Sequence, residues 1–128
     1  MNPAKLFLGF GVLVWLPYGL YCVFVPSALD EFANLVGTSP TGLTEIRAMY
    51  GGLQAGIGAL CAFAILRDEH RHSVLLALVF LTGGLALARA IGLGFDGGGS
   101  AYTYGAICFE TLNTVVAWVL ARREEGSA

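Results

Sequence analysis

Three short stretches carry side chains that can do chemistry inside an otherwise apolar sequence. "EIRAMYGGLQAG", residues 45 to 56, holds Glu45, Arg47, Tyr50 and Gln54; "LARAIGLGFDG" holds Arg89 and Asp96; "YGAICFETLNTVVAW" holds Glu110, Asn113 and Thr114. At about 3.6 residues per turn, Arg47, Tyr50 and Gln54 fall on one helix face, continued by Gly58 and Cys61, while Glu45 points elsewhere. Glu110, Asn113 and Thr114 share a face in the same way. A carboxylate with two arginines, a phenol and two amides can grip the polar end of a ligand, and Glu110 is the best general acid/base candidate because an arginine neighbour makes a buried carboxyl tunable. No nucleophile–base pair and no metal-ligand set accompanies it, so no reaction and no catalytic residue is assigned, and whether the protein is an enzyme stays open.

The elements that must hold these residues follow from composition. Of 128 residues, 56% are hydrophobic and 12% charged, with a mean hydropathy of +0.71. That is far more apolar surface than a water-soluble core of this size needs. Four apolar runs approach or exceed the roughly 20 residues that a bilayer requires of a helix: Leu6–Val25, Leu43–Leu66, Val74–Leu93 and Tyr102–Ala121. Backbone groups in lipid must be satisfied within the segment, so each run is read as a helix. The expected architecture is all-α, an integral membrane four-helix bundle with a short surface helix between helices one and two, forming one four-span domain over residues 1–128. The first run follows Lys5 as a secretory signal would, but it is too long for a signal core, and bulky Tyr21 stands where lipoprotein processing needs a small residue.

Charge sets the expected orientation. Lys5, Arg67, Arg71, Arg122 and Arg123 all fall on one side of the proposed bundle. The positive-inside rule then puts both termini and the loop "RDEHRHS" in the cytoplasm, as a multi-pass protein of the inner membrane. Arg47 and Arg89 are left in the outer half. The first outer connection, "PSALDEFANLVGTSP", is expected to form a short surface helix, with Ser27 and Asp30 at its start, Leu29, Phe32 and Val36 on one face and Gly37 as its stop. Pro40 and Thr41 open the second span. The second outer connection, "GLGFDGGGSA", reads as a freely bending glycine-rich loop that lacks the Lys-Ser/Thr and the preceding strand of a phosphate-binding loop.

Gly52 and Gly56 form one small-residue row, and Gly84, Ala88 and Gly92 another, so helices two and three are expected to pack along them, with dimerisation through the same rows as the competing reading. Counted inward at about 1.5 Å per residue, Arg47 and Arg89 lie one turn deep and Glu110 about two. Glu110 can therefore pair with either arginine, and Asp96 or Glu45 at the rim can take the other. An intramembrane charge more often marks a ligand or ion path than a structural tie, though a closed Arg–Glu network that only fixes helix register remains the plain alternative.

Other residues point to simpler roles. His70 and His72 with Asp68 and Glu69 read as a solvated turn rather than a metal site, and no metal or cofactor is expected. Cys22, Cys61 and Cys108 read as small packing residues, since three cysteines inside spans make no disulfide framework. Trp15, Trp118, Tyr18, Tyr21, Tyr102 and Tyr104 read mostly as packing or interfacial anchors. Seven basic residues and a net charge of -2 argue against a nucleic-acid partner.

The Glu-x-Arg-x-x-Tyr-Gly-Gly element from Glu45, Arg-x-x-Gly from Arg89 and Glu-x-x-Asn from Glu110 together resemble the domain-of-unknown-function 4345 family of small bacterial four-span membrane proteins. The resemblance extends from the first span to Trp118. It implies the fold and marks Glu45, Arg47, Tyr50, Gly51, Gly52, Arg89, Gly92, Asp96, Glu110 and Asn113 as signature positions. It implies no activity.

Three functions compete. One is a polar pocket for a small amphiphilic or lipid-like molecule in the outer half of the bundle, bound by Arg47, Tyr50, Gln54, Arg89, Asp96, Glu110 and Asn113. A second is a non-catalytic accessory subunit of a larger membrane complex, with a homodimer or a membrane protein as partner. A small transporter ranks last, because the first span lacks a carboxylate.

Overall fold

A computed structural model describes residues 2–126. Helix covers 88% of the structure and no strand occurs among the described residues, so nearly all backbone polar groups are satisfied within their own segments, as lipid demands. In chain order the elements are α1 (Pro3–Phe24), α2 (Ala28–Ala33), α3 (Pro40–Ile46), a π-helical turn Arg47–Gly52, α4 (Leu53–Leu66), a 3₁₀ turn Asp68–His70, α5 (Arg71–Gly92), a second π-helical turn Leu93–Gly97, and α6 (Ala101–Glu125). These make four continuous helices long and apolar enough to cross a membrane: Pro3–Phe24, Pro40–Leu66, Asp68–Gly97 and Ala101–Glu125. The chain is a multi-pass membrane protein, with the four long helices that an all-α bundle fold requires. Its contacts group into two compact units, Met1–Asp68 and Glu69–Ala128, described in turn.

In the first unit, Pro3 opens α1 and the Asn2 side chain caps it, accepting from the Ala4 amide at 2.8 Å. Ser39 caps α3 ahead of Pro40 in the same manner, through the Gly42 amide at 3.0 Å. Glycines let α1 approach α4 to backbone contact. A Cβ at Gly19 would stand 2.2 Å from the Ala55 nitrogen, and one at Gly58 would stand 2.5 Å from the Leu16 nitrogen. Gly11 meets Cys61 and Gly51 meets Val23 in the same seam. The expected rows are not the residues of this seam. Gly56 and Gly84 have nothing within 4 Å of a Cβ position, and Gly52 has only the Arg47 carbonyl at 3.9 Å.

Within Pro40–Leu66 the π-helical turn sets which face follows it. Its i to i+5 bonding, shown by the Leu53 amide on the Ala48 carbonyl, inserts one residue and rotates the face that follows. Burial accordingly steps five residues from Ile46 to Gly51 before resuming at Gln54, Gly58 and Cys61. Beyond α1, the short helix α2 ends earlier than expected. Asn34, not Gly37, takes the left-handed conformation (φ 51°) that stops it, and Ser27 makes no side-chain cap. Leu29 is buried with Cys22 and Ile46, packed by Tyr18 and Tyr50, whereas Phe32 and Val36 are exposed. Termination at Asn34 breaks the helical phase that would have kept Val36 with Leu29.

The second unit is an antiparallel pair, α5 on α6. Arg71, Leu75, Leu78 and Thr82 on α5 are buried at alternating four- and three-residue steps, and so are Glu110, Asn113, Ala117 and Leu120 on α6. That spacing is the seam of a left-handed helix pair. Polar ties punctuate it: Arg71 with Glu124 at 3.3 Å, Thr82 with Thr114 at 2.8 Å, and Arg89 with Glu110 at 3.0 Å. The stretch Leu93–Gly97, expected as loop, instead continues the third long helix, leaving only Gly98 to Ser100 as the turn into α6. Gly97 and Gly98 take positive φ there, which side chains resist.

Candidate functional site

Helix α5 runs on to Gly97, so Arg89 lies about two turns inside the helix end rather than one, at the same depth as Glu110 counted from Ala101. The two meet. Arg89 donates from Nε to both carboxylate oxygens of Glu110, at 3.0 and 3.1 Å. The Glu110 side chain is 5% exposed and that of Arg89 22%, which makes this a largely desolvated pair within a membrane-spanning segment. Above it, the guanidinium carbon of Arg89 stands 5.7 Å from the centroid of the Tyr102 ring, within cation–π range. Tyr102 belongs to the aromatic set read mostly as packing or interfacial anchors. It lies two turns before Glu110 on α6, and that i, i+8 spacing is the signal that could have joined it to the site.

Below the ion pair, hydroxyls continue the polar stripe. Thr114 donates to the Glu110 carbonyl at 2.8 Å and Thr82 to the Leu78 carbonyl at 2.7 Å, while the two hydroxyl oxygens stand 2.8 Å apart. Two protons serve three short contacts, so the interhelical bond forms only when one hydroxyl turns from its own carbonyl. Thr82 went unnoticed in the sequence, although it lies seven residues before Arg89 on the same seam. Asn113, buried, donates to the Phe109 carbonyl at 2.8 Å. Its amide is thereby fixed along the helix, one turn from Glu110.

In the first unit the candidates take different partners. Arg47 is exposed, and its guanidinium donates to the backbone carbonyl of Val23. That carbonyl belongs to the last turn of α1, where no intrahelical donor is available, so Arg47 acts as a helix cap supplied from another helix. Tyr50 is half-buried against the cluster of Cys22, Leu29 and Ile46. Gln54 is 5% exposed, and its Oε1 has no hydrogen-bond partner. Asp96 and Glu45 are exposed, and neither makes an ion pair among the described residues.

Asp68 pairs with Lys5 at 3.0 Å, an exposed bond worth little. Among the described residues no three His, Cys, Asp or Glu side chains cluster as a metal would need. Cys22 and Cys61 are buried packing residues as expected, but Cys108 is exposed, on a face of α6 turned from the seam. Trp15 is buried against Gly11, and Trp118 is exposed with Arg122 at 5.7 Å from its ring.

The family described as Domain of unknown function (DUF4345) matches residues 3–121. The chain belongs to this family. The match runs through all four long helices and every candidate residue, from Arg47 to Asn113. No curated protein and no solved structure matches the chain. Membership of the DUF4345 family therefore supports the resemblance read from the sequence and brings no activity with it, which leaves function to be argued from the site.

Proposed function

We propose that this DUF4345 protein holds a small amphiphilic or lipid-like molecule at a polar site in the outer half of a bacterial inner membrane, with both termini cytoplasmic. The orientation rests on charge within each unit. Lys5 and Arg67 flank one end of the first helix pair, and Arg71, Arg122 and Arg123 flank one end of the second, so the positive-inside rule turns both ends to the cytoplasm. Arg89 and Glu110 then fall in the outer half.

The observation that carries the proposal is the Arg89–Glu110 pair, desolvated two turns inside a spanning helix. Apolar residues would join α5 to α6 at lower cost, so a pair retained at this depth suits a group that must meet a polar ligand. Arg89 and Tyr102 would face the headgroup, Asn113 would orient it, and Glu110 would hold Arg89 in position. A second reading has its own support: both Glu110 oxygens already receive Arg89, as they would in a purely structural tie of an accessory subunit.

Native mass spectrometry with lipid extraction tests this on the purified wild type, Arg89→Ala and Glu110→Gln. A defined small amphiphile retained by wild type and lost from both variants is the expected result. Bulk lipid alone in the wild type would overturn the proposal in favour of the structural tie.

A further inference from the structure

Gln54 is the one side chain of α4 that carries a hydrogen-bonding amide; the rest of "LQAGIGALCAFAIL" is apolar, glycine or cysteine. It lies at the middle of the 27-residue helix Pro40–Leu66, where a bilayer has no bulk water, and it is 5% exposed. Its Oε1 accepts no hydrogen bond, and the amide makes none to any described residue. A buried amide in hydrocarbon without a partner is a costly arrangement that a leucine would avoid. Nor do the residues of the seam answer it. Gly19, Gly51, Ala55 and Gly58, which bring α1 and α4 together, have no side-chain donors.

We infer that Gln54 receives the hydroxyl of an uncharged lipid alcohol, a long-chain or isoprenoid alcohol rather than a phospholipid or fatty acid. The inference goes beyond the proposed site in the second unit: it assigns a different ligand chemistry and a receiving residue within the first unit alone. An orphan carboxamide oxygen needs a donor. A hydroxyl donates to it and can accept from the amide NH₂ in the same contact, so it satisfies the amide in either orientation of its oxygen and nitrogen. Phosphate and carboxylate only accept when ionised, and they need a cation at that depth. Among the described residues the first unit places none there: Lys5 is paired with Asp68, Arg47 is exposed seven residues away, about 10 Å along the helix, with its guanidinium on the Val23 carbonyl, and Arg67 ends α4 at the far side of the helix.

The test uses the full-length protein in detergent and three diazirine-tagged probes with one isoprenoid tail, ended as alcohol, methyl ether or phosphate. Photolabelling is mapped to the peptide containing Gln54 in wild type, Gln54→Leu and Gln54→Met. Saturable labelling by the alcohol is expected, at least tenfold weaker for the ether, which cannot donate, and for the phosphate. Both substitutions should lower alcohol labelling at least tenfold while leaving thermal stability equal or higher, since each removes an unpartnered polar group. Equal labelling by alcohol and ether, or labelling indifferent to both substitutions, would overturn the inference and leave a trapped water as the partner of Gln54. The two proposals fail separately: alcohol labelling indifferent to Gln54 sinks this one alone, and a wild type that retains only bulk lipid in the native mass spectrum sinks the site at Arg89 alone.

Discussion

Removing one member of the Arg89–Glu110 pair gives the sharpest check on the second helix pair. Glu110 is 5% exposed and receives the Arg89 Nε on both oxygens, at 3.0 and 3.1 Å. Breaking a buried pair from one side costs about 3 kcal/mol or more, because the remaining group loses its partner without regaining water. Arg89 is 22% exposed and stacks near Tyr102, so part of its interaction survives the loss of Glu110. A double-mutant cycle of Arg89→Met, Glu110→Gln and the combination should therefore give a coupling of about 2 kcal/mol. Reversible unfolding in mixed micelles, followed by the fluorescence of Trp118 on α6, measures it. The combined variant should be less damaged than the two single losses added together. A coupling under about 0.5 kcal/mol would mean that the pair does not tie α5 to α6, and the reasoning from its burial would be wrong.

Three further outcomes are expected. Gly58→Ala and Gly19→Ala should each destabilise the first helix pair by about 1–3 kcal/mol, because the new methyl meets backbone of the facing helix, whereas Gly56→Ala and Gly84→Ala, which meet nothing, should be neutral or slightly stabilising. Thermal unfolding in detergent separates the two sets, and equal effects would refute the close-approach seam. Thr82→Val keeps the shape of the side chain but removes the hydroxyl shared with Thr114, and should cost about 0.6 kcal/mol in the same assay, the usual worth of an interhelical hydrogen bond in a membrane. Arg47→Met should cost about 1 kcal/mol, modest because the side chain is exposed, and amide exchange should speed up in the last turn of α1, whose Val23 carbonyl it caps. Unchanged exchange there would show that the cap does not hold.

Hydropathy made the four long helices legible, because a run of about 20 apolar residues has no other stable form in lipid. Pairing of Glu110 with Arg89 was legible as one of two choices, Arg47 being the other. Depth was misjudged because Leu93–Gly97, with three residues of glycine or aspartate in five, looks like a loop and is a π-helical turn. The glycine rows show a different limit. Four-residue spacing marks Gly52 and Gly56 as a row, but spacing does not say which glycines a neighbouring helix meets, and those that meet α1 are Gly51, inside the Arg47–Gly52 turn, and Gly58. A π-helical turn has no distinctive composition, so periodicity misses it and every face assigned beyond it is rotated. Backbone acceptors are equally hidden. Nothing in the letters says that Val23 will present an unpaired carbonyl to Arg47.

That last partner changes what the polar residues can be asked to do. Had Arg47 and Arg89 both turned to Glu110, a second cation would have stood at its depth, and an anionic headgroup would have been the natural ligand. Instead Arg47 keeps its charge at the exposed end of the first helix pair, where it caps the Val23 carbonyl, and Arg89 is matched one to one by Glu110 within the second unit. The acceptor that stays open at mid-helix is a neutral amide, on Gln54. Recognition at Gln54 should then depend on hydrogen-bond donation more than on charge. An amphiphile held by Arg89 depends on Glu110 to fix that guanidinium and should be lost from Glu110→Gln, whereas an alcohol bound at Gln54 should be indifferent to that substitution. Comparing the phosphate and alcohol probes on Glu110→Gln distinguishes the two directly: if phosphate labelling falls and alcohol labelling holds, charge and hydroxyl recognition belong to different residues.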